Sequence, residues 1–208
     1  MWLRITVVML MLAGMVPVGG HAQEASRATT ETIQALKQGG FVLYMRHTAS
    51  DTSKPDRTPT VNLKDCSTQR PLSDEGRRQA VHIGEAMRAF GIPVGEVLVS
   101  PYCRVKETAA LAFGHHYTVR PSLMTTSNLP EQEKKPLLED LRALLAKPVP
   151  DGTNRLLLSH NAPLMDAVGI FPKPEGVVLV FRPDGKGGAD HVATIKPNDW
   201  DRLTTPSH

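Results

Sequence analysis

Short apolar runs, separated by glycine, proline and polar residues, predict the strands of the protein. Each run is four to eight residues long and is rich in Val, Leu, Ile or aromatic residues, as expected for buried strands. The predicted strands lie at 41–48, 96–100, 117–120, 155–160, 177–181 and 191–195. A glycine-rich turn at 184–188 joins the last two, which are therefore expected to form an antiparallel hairpin.

The segments between these strands repeat apolar residues at helical spacing. The clearest helix starts after Ser73, a predicted N-cap, and carries Asp74 and Glu75 in its first turn. The predicted helices lie at 25–37, 73–90, 105–113, 136–145 and 162–168, and the polar stretches 49–70 and 122–135 are predicted loops. Strands that alternate with helices indicate an α/β fold with a mostly parallel central sheet flanked by helices.

The N-terminus has the pattern of a cleavable signal peptide. Arg4 precedes an apolar stretch at 5–18, and Gly20-His21-Ala22 supplies a small-x-small cleavage site before Gln23. We therefore expect residues 1–22 to be removed and residues 23–208 to form a single domain. The expected location is the periplasm or the exterior of the cell, without stable membrane insertion after cleavage.

Charge and cysteine content narrow the functional classes. The chain has 208 residues and a formal net charge of +3, with 24 Lys and Arg against 21 Asp and Glu. The basic residues are scattered, which argues against a nucleic-acid partner. Cys66 and Cys103 both follow the predicted signal peptide, and an oxidising compartment would favour a disulfide between them.

Cationic or imidazole side chains follow three of the predicted strands. Arg46 and His47 end the first strand, Arg104 follows the strand at 96–100, and His160 ends the strand at 155–160. In open α/β sheets, ligands bind at the carboxyl ends of the strands. Arginine is a permanent planar cation suited to phosphate, and histidine is a nucleophile that titrates near neutral pH. The placement predicts a phosphate site.

Four blocks, in this order, resemble a known family. They are Arg46-His47-Thr48, LSDEGRRQA at 72–80, SPYCRVKETA at 100–109 and LLLSH at 156–160. The blocks are similar to the Arg-His-Gly turn, the helix start, the Ser-Pro-x-x-Arg element and the second-histidine strand of the histidine phosphatase superfamily, also called the phosphoglycerate mutase-like family. The second and third blocks are the specific ones.

The resemblance implies a three-layer fold and roles for the strand-end residues. His47 would be the nucleophile that becomes phosphorylated, and Arg46, Arg104 and a protonated His160 would hold the phosphate without a metal or cofactor. An unprotonated ring nitrogen of His47 must attack, so its other nitrogen should donate to a carbonyl or carboxylate. The implied activity is that of a metal-independent phosphohydrolase cleaving a phosphate monoester or phosphoramidate, with residues 23–208 as its catalytic domain.

Two departures from the family pattern concern the residues after the histidines, which we assign to substrate binding. Thr48 replaces the usual glycine, so either this turn has a negative φ or Thr48 narrows the pocket. Asn161 stands where some members carry an acidic proton donor. Glu175 is then the best candidate for this donor, and Asp51 and Glu107 are weaker ones. A phosphohistidine or acyl phosphate substrate would need no donor.

Other classes of site fit the sequence less well. Ser159-His160 lacks the Gly-x-Ser-x-Gly elbow of a serine hydrolase, and its members point to opposite faces of a strand. Neither cysteine is followed by an arginine at the sixth position, as a cysteine phosphatase requires. The glycine-rich segment 185–188 lies between strands, unlike a P-loop. Adjacent His115 and His116 are better explained by a surface loop than by a metal site.

Within the resembled family, two alternatives remain open. One is a phosphomutase for small phosphorylated acids, although export argues against a glycolytic substrate. The other is a catalytically silent module that binds phosphate or another anion. The expected partners are phosphorylated small molecules, glycans or lipids.

Overall fold

The central sheet has six strands in the computed structural model, which describes residues 26–57 and 61–204. The predicted signal peptide at 1–22 lies outside the described residues. The strands are β1 (Val42–Arg46), β2 (Val94–Val99), β3 (Thr118–Val119), β4 (Asn154–Ser159), β5 (Val178–Pro183) and β6 (Ala189–Ile195). Their order across the sheet is β3-β2-β4-β1-β5-β6.

Pairing in the sheet is parallel at its centre and antiparallel at one side. The pairs β1–β4, β2–β4 and β2–β3 are parallel, whereas β1–β5 and β5–β6 are antiparallel. In the register, Leu158 of β4 lies opposite both Met45 of β1 and Val99 of β2. The carboxyl ends of these three strands therefore meet at one edge of the sheet, as the predicted fold requires.

Helices cover both faces of the sheet. They are α1 (Thr30–Gln38), α2 (Asp74–Ala89), α3 (Cys103–Phe113), α4 (Glu131–Ala146), α5 (Asn161–Val168) and α6 (Asp199–Thr204). One core cluster combines Leu43 and Met45 with apolar residues of α1, α2, α3 and α6, and the other combines Val42 and Tyr44 with α4 and α5. Because successive strand residues face opposite sides of a sheet, this division confirms the predicted three-layer arrangement.

The predicted boundaries differ from the structure at several elements. α4 begins at Glu131, so the predicted loop 122–135 ends earlier and Pro136 lies inside the helix. Glu131 and Glu133 in its first turn complement the helix dipole, a start signal that the apolar stripe does not contain. β3 has only two residues, and α6 was not predicted.

No helix among residues 26–57 and 61–204 has the length and apolar character needed to cross a membrane.

Candidate active site

His47 directly follows β1 and is held by backbone hydrogen bonds on both sides. Its N–H donates to the carbonyl of Ser159 in β4, and its own carbonyl accepts from the N–H of Gly176. The imidazole is buried, with 1% of the residue exposed. Its Nδ1 lies 2.9 Å from the carbonyl oxygen of Thr48, so Nδ1 carries the proton and donates it. The Nε2 lone pair therefore remains for attack, which is the arrangement that a nucleophilic imidazole needs.

Three residues of the family's helix-start block contact Ala49, two positions after His47. The Ala49 carbonyl accepts from the backbone N–H and the hydroxyl of Ser73, and the Ala49 N–H donates to Gln79 Oε1. A Cβ at Gly76 would come within 1.8 Å of the Ala49 oxygen, so only glycine fits there. The block thus fixes the turn that carries His47 against the start of α2.

Arg104, in the first turn of α3, links the two histidines. Its Nε donates to His47 Nε2 over 3.3 Å, and its Nη2 lies 3.4 Å from His160 Nδ1. The two imidazole ring centres are 5.3 Å apart. Arg104 is buried, and its guanidinium also lies 4.8 Å from the centre of the Tyr102 ring. Residues from β1, α3 and the end of β4 thus converge on one point, as the sequence predicts.

His160 is oriented by contacts on each side of its ring. Its Nε2 lies 2.9 Å from the hydroxyl of Ser100, and its backbone carbonyl accepts from the hydroxyl of Tyr44. A guanidinium can only donate, so Nδ1 faces Arg104 as an acceptor and Nε2–H donates to Ser100. Ser100 is the serine of the Ser-Pro-x-x-Arg block, and its hydroxyl orients the His160 ring.

Both histidines are neutral in the free protein. Burial, and next the positive charge of Arg104, lower the pKa of His47 and of His160 well below its ordinary value. This result agrees with the predicted role of His47 as a nucleophile, which requires an unprotonated ring nitrogen. In the free protein His160 is therefore not the cation that the resemblance implies beside a bound phosphate, because burial of the ring and the nearby Arg104 disfavour a further positive charge.

The lowered pKa values predict acid sensitivity of the fold. Below about pH 6.5 the imidazoles bind protons in the unfolded state but not in the folded state. The free energy of unfolding therefore decreases as the pH falls. Below the unfolded pKa, the slope for each histidine approaches a limit of about 1.4 kcal/mol per pH unit. Urea unfolding at several pH values between about 7.5 and 5, in phosphate-free buffer, should show this loss. In a His47→Gln, His160→Gln double variant the slope should be much shallower, and an unchanged slope would contradict the assignment.

Arg46 and Glu175 form an ion pair beside His47. Arg46 Nη2 lies 3.0 Å from Glu175 Oε1, and that same oxygen is 3.9 Å from His47 Nε2. The backbone N–H and the hydroxyl of Ser50 also donate to the carboxylate, and Arg46 Nη1 donates to the Pro172 carbonyl. Glu175 therefore lies next to the predicted nucleophile, in a network that fixes both of its oxygens.

The other predicted site residues occupy different positions. Thr48 has no positive φ, and its hydroxyl contacts that of Thr108 in α3, 3.2 Å away. Asn161 is the first residue of α5 and is half-buried. Asp51 bonds to Ser53 and Lys54, so it belongs to a local turn.

Glu107 also lies away from the histidines, because its carboxylate pairs with Arg77 of α2 at 2.7 Å. Of the three carboxylates proposed as proton donors, only Glu175 is close to His47.

Asp56, which was not among the predicted site residues, pairs through its carboxylate with Arg104. Asp56 Oδ1 lies 3.0 Å from Arg104 Nη1 and 2.7 Å from the backbone nitrogen of Arg70. Asp56 and Arg70 lie on the polar loop after β1, where neither periodicity nor a motif singles them out. Arg70 approaches Glu175, with 4.0 Å between Nη2 and Oε1.

The expected disulfide joins this loop to the start of α3. Cys66 and Cys103 are bonded, with 5.7 Å between their Cα atoms. Next to them, the Cys103 N–H donates to the side chain of Gln69. Because Cys103 precedes Arg104, the disulfide ties the loop that carries Asp56 to the residue that Asp56 contacts.

A separate cavity of about 540 Å³ borders Glu175 and Ala49. Its lining includes Arg27, Gln79 and Asp199, but neither His47 nor His160. This cavity is therefore separate from the histidine cluster. Among residues 26–57 and 61–204, no group of three or more His, Cys, Asp or Glu side chains is arranged to hold a metal ion.

One family model matches part of the chain. The model of "Histidine phosphatase superfamily (branch 1)" matches residues 42–132, which include His47 and Arg104, and the fold places His160 beside both. No curated protein sequence matches the chain.

Several solved structures have a similar fold. The protein histidine phosphatase SixA, complexed with tungstate, is 19% identical over 76% of this chain and 98% of its own, with a TM-score of 0.51. A putative alpha-ribazole-5'-P phosphatase from Escherichia coli is 14% identical over 76% and 97%, with a TM-score of 0.57. The alpha-ribazole phosphatase from Shigella flexneri is 14% identical over 76% and 96%, with a TM-score of 0.55. At these identities the likeness establishes the fold.

Proposed function

We propose that this protein is a metal-independent phosphohydrolase that works through a phosphohistidine on His47. The observation that carries the proposal is the arrangement of His47: Nδ1–H is bound to the Thr48 carbonyl, which leaves Nε2 unprotonated and 3.3 Å from Arg104 Nε. Phosphoryl transfer needs mainly positioning and neutralisation of charge on the phosphoryl oxygens. Arg46 and Arg104 supply the positive charge on two sides of the nucleophile.

The reaction would take place in two steps. In the first, His47 Nε2 forms a bond to phosphorus while the bond from phosphorus to the leaving group breaks. In the second, water attacks the phosphohistidine, which releases inorganic phosphate and restores the neutral imidazole. His160 would accept a phosphate proton or be protonated as the dianion binds, since a bound anion offsets the arginine charges that keep it neutral.

In this proposal Glu175 is the acid that protonates the leaving group. Its Oε1 lies 3.9 Å from His47 Nε2, within reach of a leaving atom bound to the same phosphorus. A proton on the carboxylate would displace one of its contacts with Ser50 or Arg46, so these donors must rearrange as substrate binds. Substrates with good leaving groups, such as phosphoramidates, would not depend on this step. SixA, which has a similar fold, is a protein histidine phosphatase, and this is one reason to include a phosphoramidate in the assays.

Replacing Glu175 by Gln should therefore have an effect that depends on the leaving group. With an alkyl phosphate, such as phosphoserine, kcat/KM should fall about 10²- to 10⁴-fold. With p-nitrophenyl phosphate or phosphoramidate, whose leaving groups depart readily, the loss should be below about tenfold. Steady-state phosphate release measures both.

Two controls and two other outcomes complete this experiment. Glu107→Gln and Asp51→Asn should leave both kinds of substrate unaffected, since neither carboxylate contacts the histidines. An equal loss on all substrates would show that Glu175 holds Arg46 in place and donates no proton. If the wild-type protein binds phosphate but turns over none of these compounds, the silent anion-binding module is the better description.

We also propose that the substrate is a phosphorylated small molecule, glycan or lipid outside the cytoplasm. The signal-peptide pattern at 1–22 and the Cys66–Cys103 disulfide support export. Intact-mass measurement on protein recovered from its native compartment tests this: the proposal requires a chain that starts near Gln23 and contains no free thiol.

A further inference from the structure

Arg70 brings a third guanidinium to the site. Its Nη2 lies 4.0 Å from Glu175 Oε1, the oxygen that Arg46 Nη2 contacts at 3.0 Å and that lies 3.9 Å from His47 Nε2. Two arginines thus approach one oxygen position beside the nucleophile. When a phosphoryl group is positioned for transfer to His47, one of its oxygens has to lie close to this position.

Both of these arginines have an unused donor. The Nε atoms of Arg46 and Arg70 are buried, and neither has a hydrogen-bond acceptor in the part of the chain that the structure describes. Leaving a buried donor unsatisfied is unfavourable, so such a pair requires an explanation. An oxyanion with several acceptor oxygens would satisfy both donors at once.

The balance of charge gives Arg70 a distinct role. Arg46 pairs with Glu175, and Arg104 pairs with Asp56. Because the two histidines are neutral, these pairs together add no net charge to the site. Arg70 is then the cation that makes the cluster positive and attractive to a phosphate dianion.

The loop holds Arg70 in place rather than leaving it to move in solvent. The Arg70 backbone N–H donates to the Asp56 oxygen that also accepts from Arg104. The preceding residue, Gln69, accepts from the N–H of Cys103, and Cys103 is bonded to Cys66. Arg70 is therefore attached to the same scaffold as Arg104, and it can be preorganised for the anion.

We propose that Arg70 is a substrate-binding residue that contacts the phosphoryl group held at His47 and selects phosphate dianions. This inference rests on the proposed function. In this proposal the polar loop after β1 contributes a residue to the site, and the disulfide attaches that loop to the start of α3.

The experiment measures equilibrium binding of inorganic phosphate by calorimetry at constant ionic strength, so that it does not depend on turnover. Arg70→Ala should raise the dissociation constant for phosphate about 10- to 100-fold, which is the effect of losing a hydrogen bond to a charged group. Arg70→Lys, which keeps the charge but not the planar fork, should fall between this variant and the wild type. Arg57→Ala removes an exposed arginine of the same loop and should bind phosphate as the wild type does.

A second comparison separates direct contact from an effect through Glu175. In a Glu175→Gln background, Arg70→Ala should still weaken phosphate binding by a similar factor. If the effect disappears in that background, Arg70 acts only by holding Glu175 and the inference is wrong. Equal phosphate affinity of the wild type and Arg70→Ala overturns this inference alone, whereas a wild-type protein that binds no phosphate overturns the proposed function with it.

Discussion

Replacement of His47 by Ala should abolish phosphate release from p-nitrophenyl phosphate, with a loss of at least about 10⁴-fold in kcat. The reason is that His47 Nε2 is the atom that forms the bond to phosphorus. Attack by water on the bound ester would lack this nucleophile and would have to proceed in a site shaped for an imidazole. Steady-state release of p-nitrophenol measures the effect.

The same variant should still bind phosphate, because Arg46, Arg104 and His160 remain. Retained binding would show that the variant is folded and that the loss concerns chemistry. His115→Ala is the matched control. His115 is exposed and lies between α3 and β3, at the opposite end of α3 from Arg104. Activity of His47→Ala within about tenfold of the wild type would exclude His47 as the nucleophile.

Arg104→Ala should lose at least about 10³-fold in kcat/KM, since one buried donor aimed at transition-state charge is worth 10²–10³ and Arg104 contacts both histidines. Two further consequences add to the loss of the guanidinium that would hold the phosphoryl group. The Asp56 carboxylate loses its partner beside the phosphate position, where it would repel the substrate. The pKa of each histidine should also rise, because Arg104 is the largest charge that lowers it.

A conservative variant and a distant one test this interpretation. Arg104→Lys keeps the charge without the geometry that reaches His47 and His160 together, so it should recover only part of the activity. Arg78→Ala, which removes an exposed arginine of α2, should have wild-type kinetics. If Arg104→Ala retains most of the wild-type activity, Arg104 does not hold the phosphoryl group in the way proposed.

Much of the fold follows from the sequence because its strands are short, apolar and well separated. The three strands that carry the site are predicted within a few residues, and the 184–188 turn correctly joins β5 to β6. The start of α4 is missed because Glu131 and Glu133 look like loop residues when only the apolar stripe is read. α6 is missed because its six residues are too few to show a period.

The convergence of Arg46, His47, Arg104 and His160 is also predictable, since each follows or ends a strand. Parallel neighbours bring their carboxyl ends to one edge, so a position along the chain becomes a position in space. This reasoning does not extend to Asp56 and Arg70. Both lie on an irregular loop whose path is set by the disulfide and by single hydrogen bonds, and no periodic pattern records such contacts.

The protonation state of His160 shows a different limit. Its residue type and its position beside a predicted phosphate suggest a cation. Whether it carries a charge depends on burial and on the distance to Arg104, which only the folded structure supplies. The same structure supplies the Thr48 carbonyl that fixes the His47 tautomer.

The central claim is that a phosphoryl group is carried by His47 during turnover. The most direct measurement is rapid mixing of the protein with p-nitrophenyl phosphate, quenching in base because phosphohistidine is labile in acid, and mass spectrometry of the peptides. The account predicts one added phosphoryl group, located on His47 and absent from the His47→Ala variant. Turnover without a phosphorylated peptide, or with the group on His160 or a serine, would contradict it.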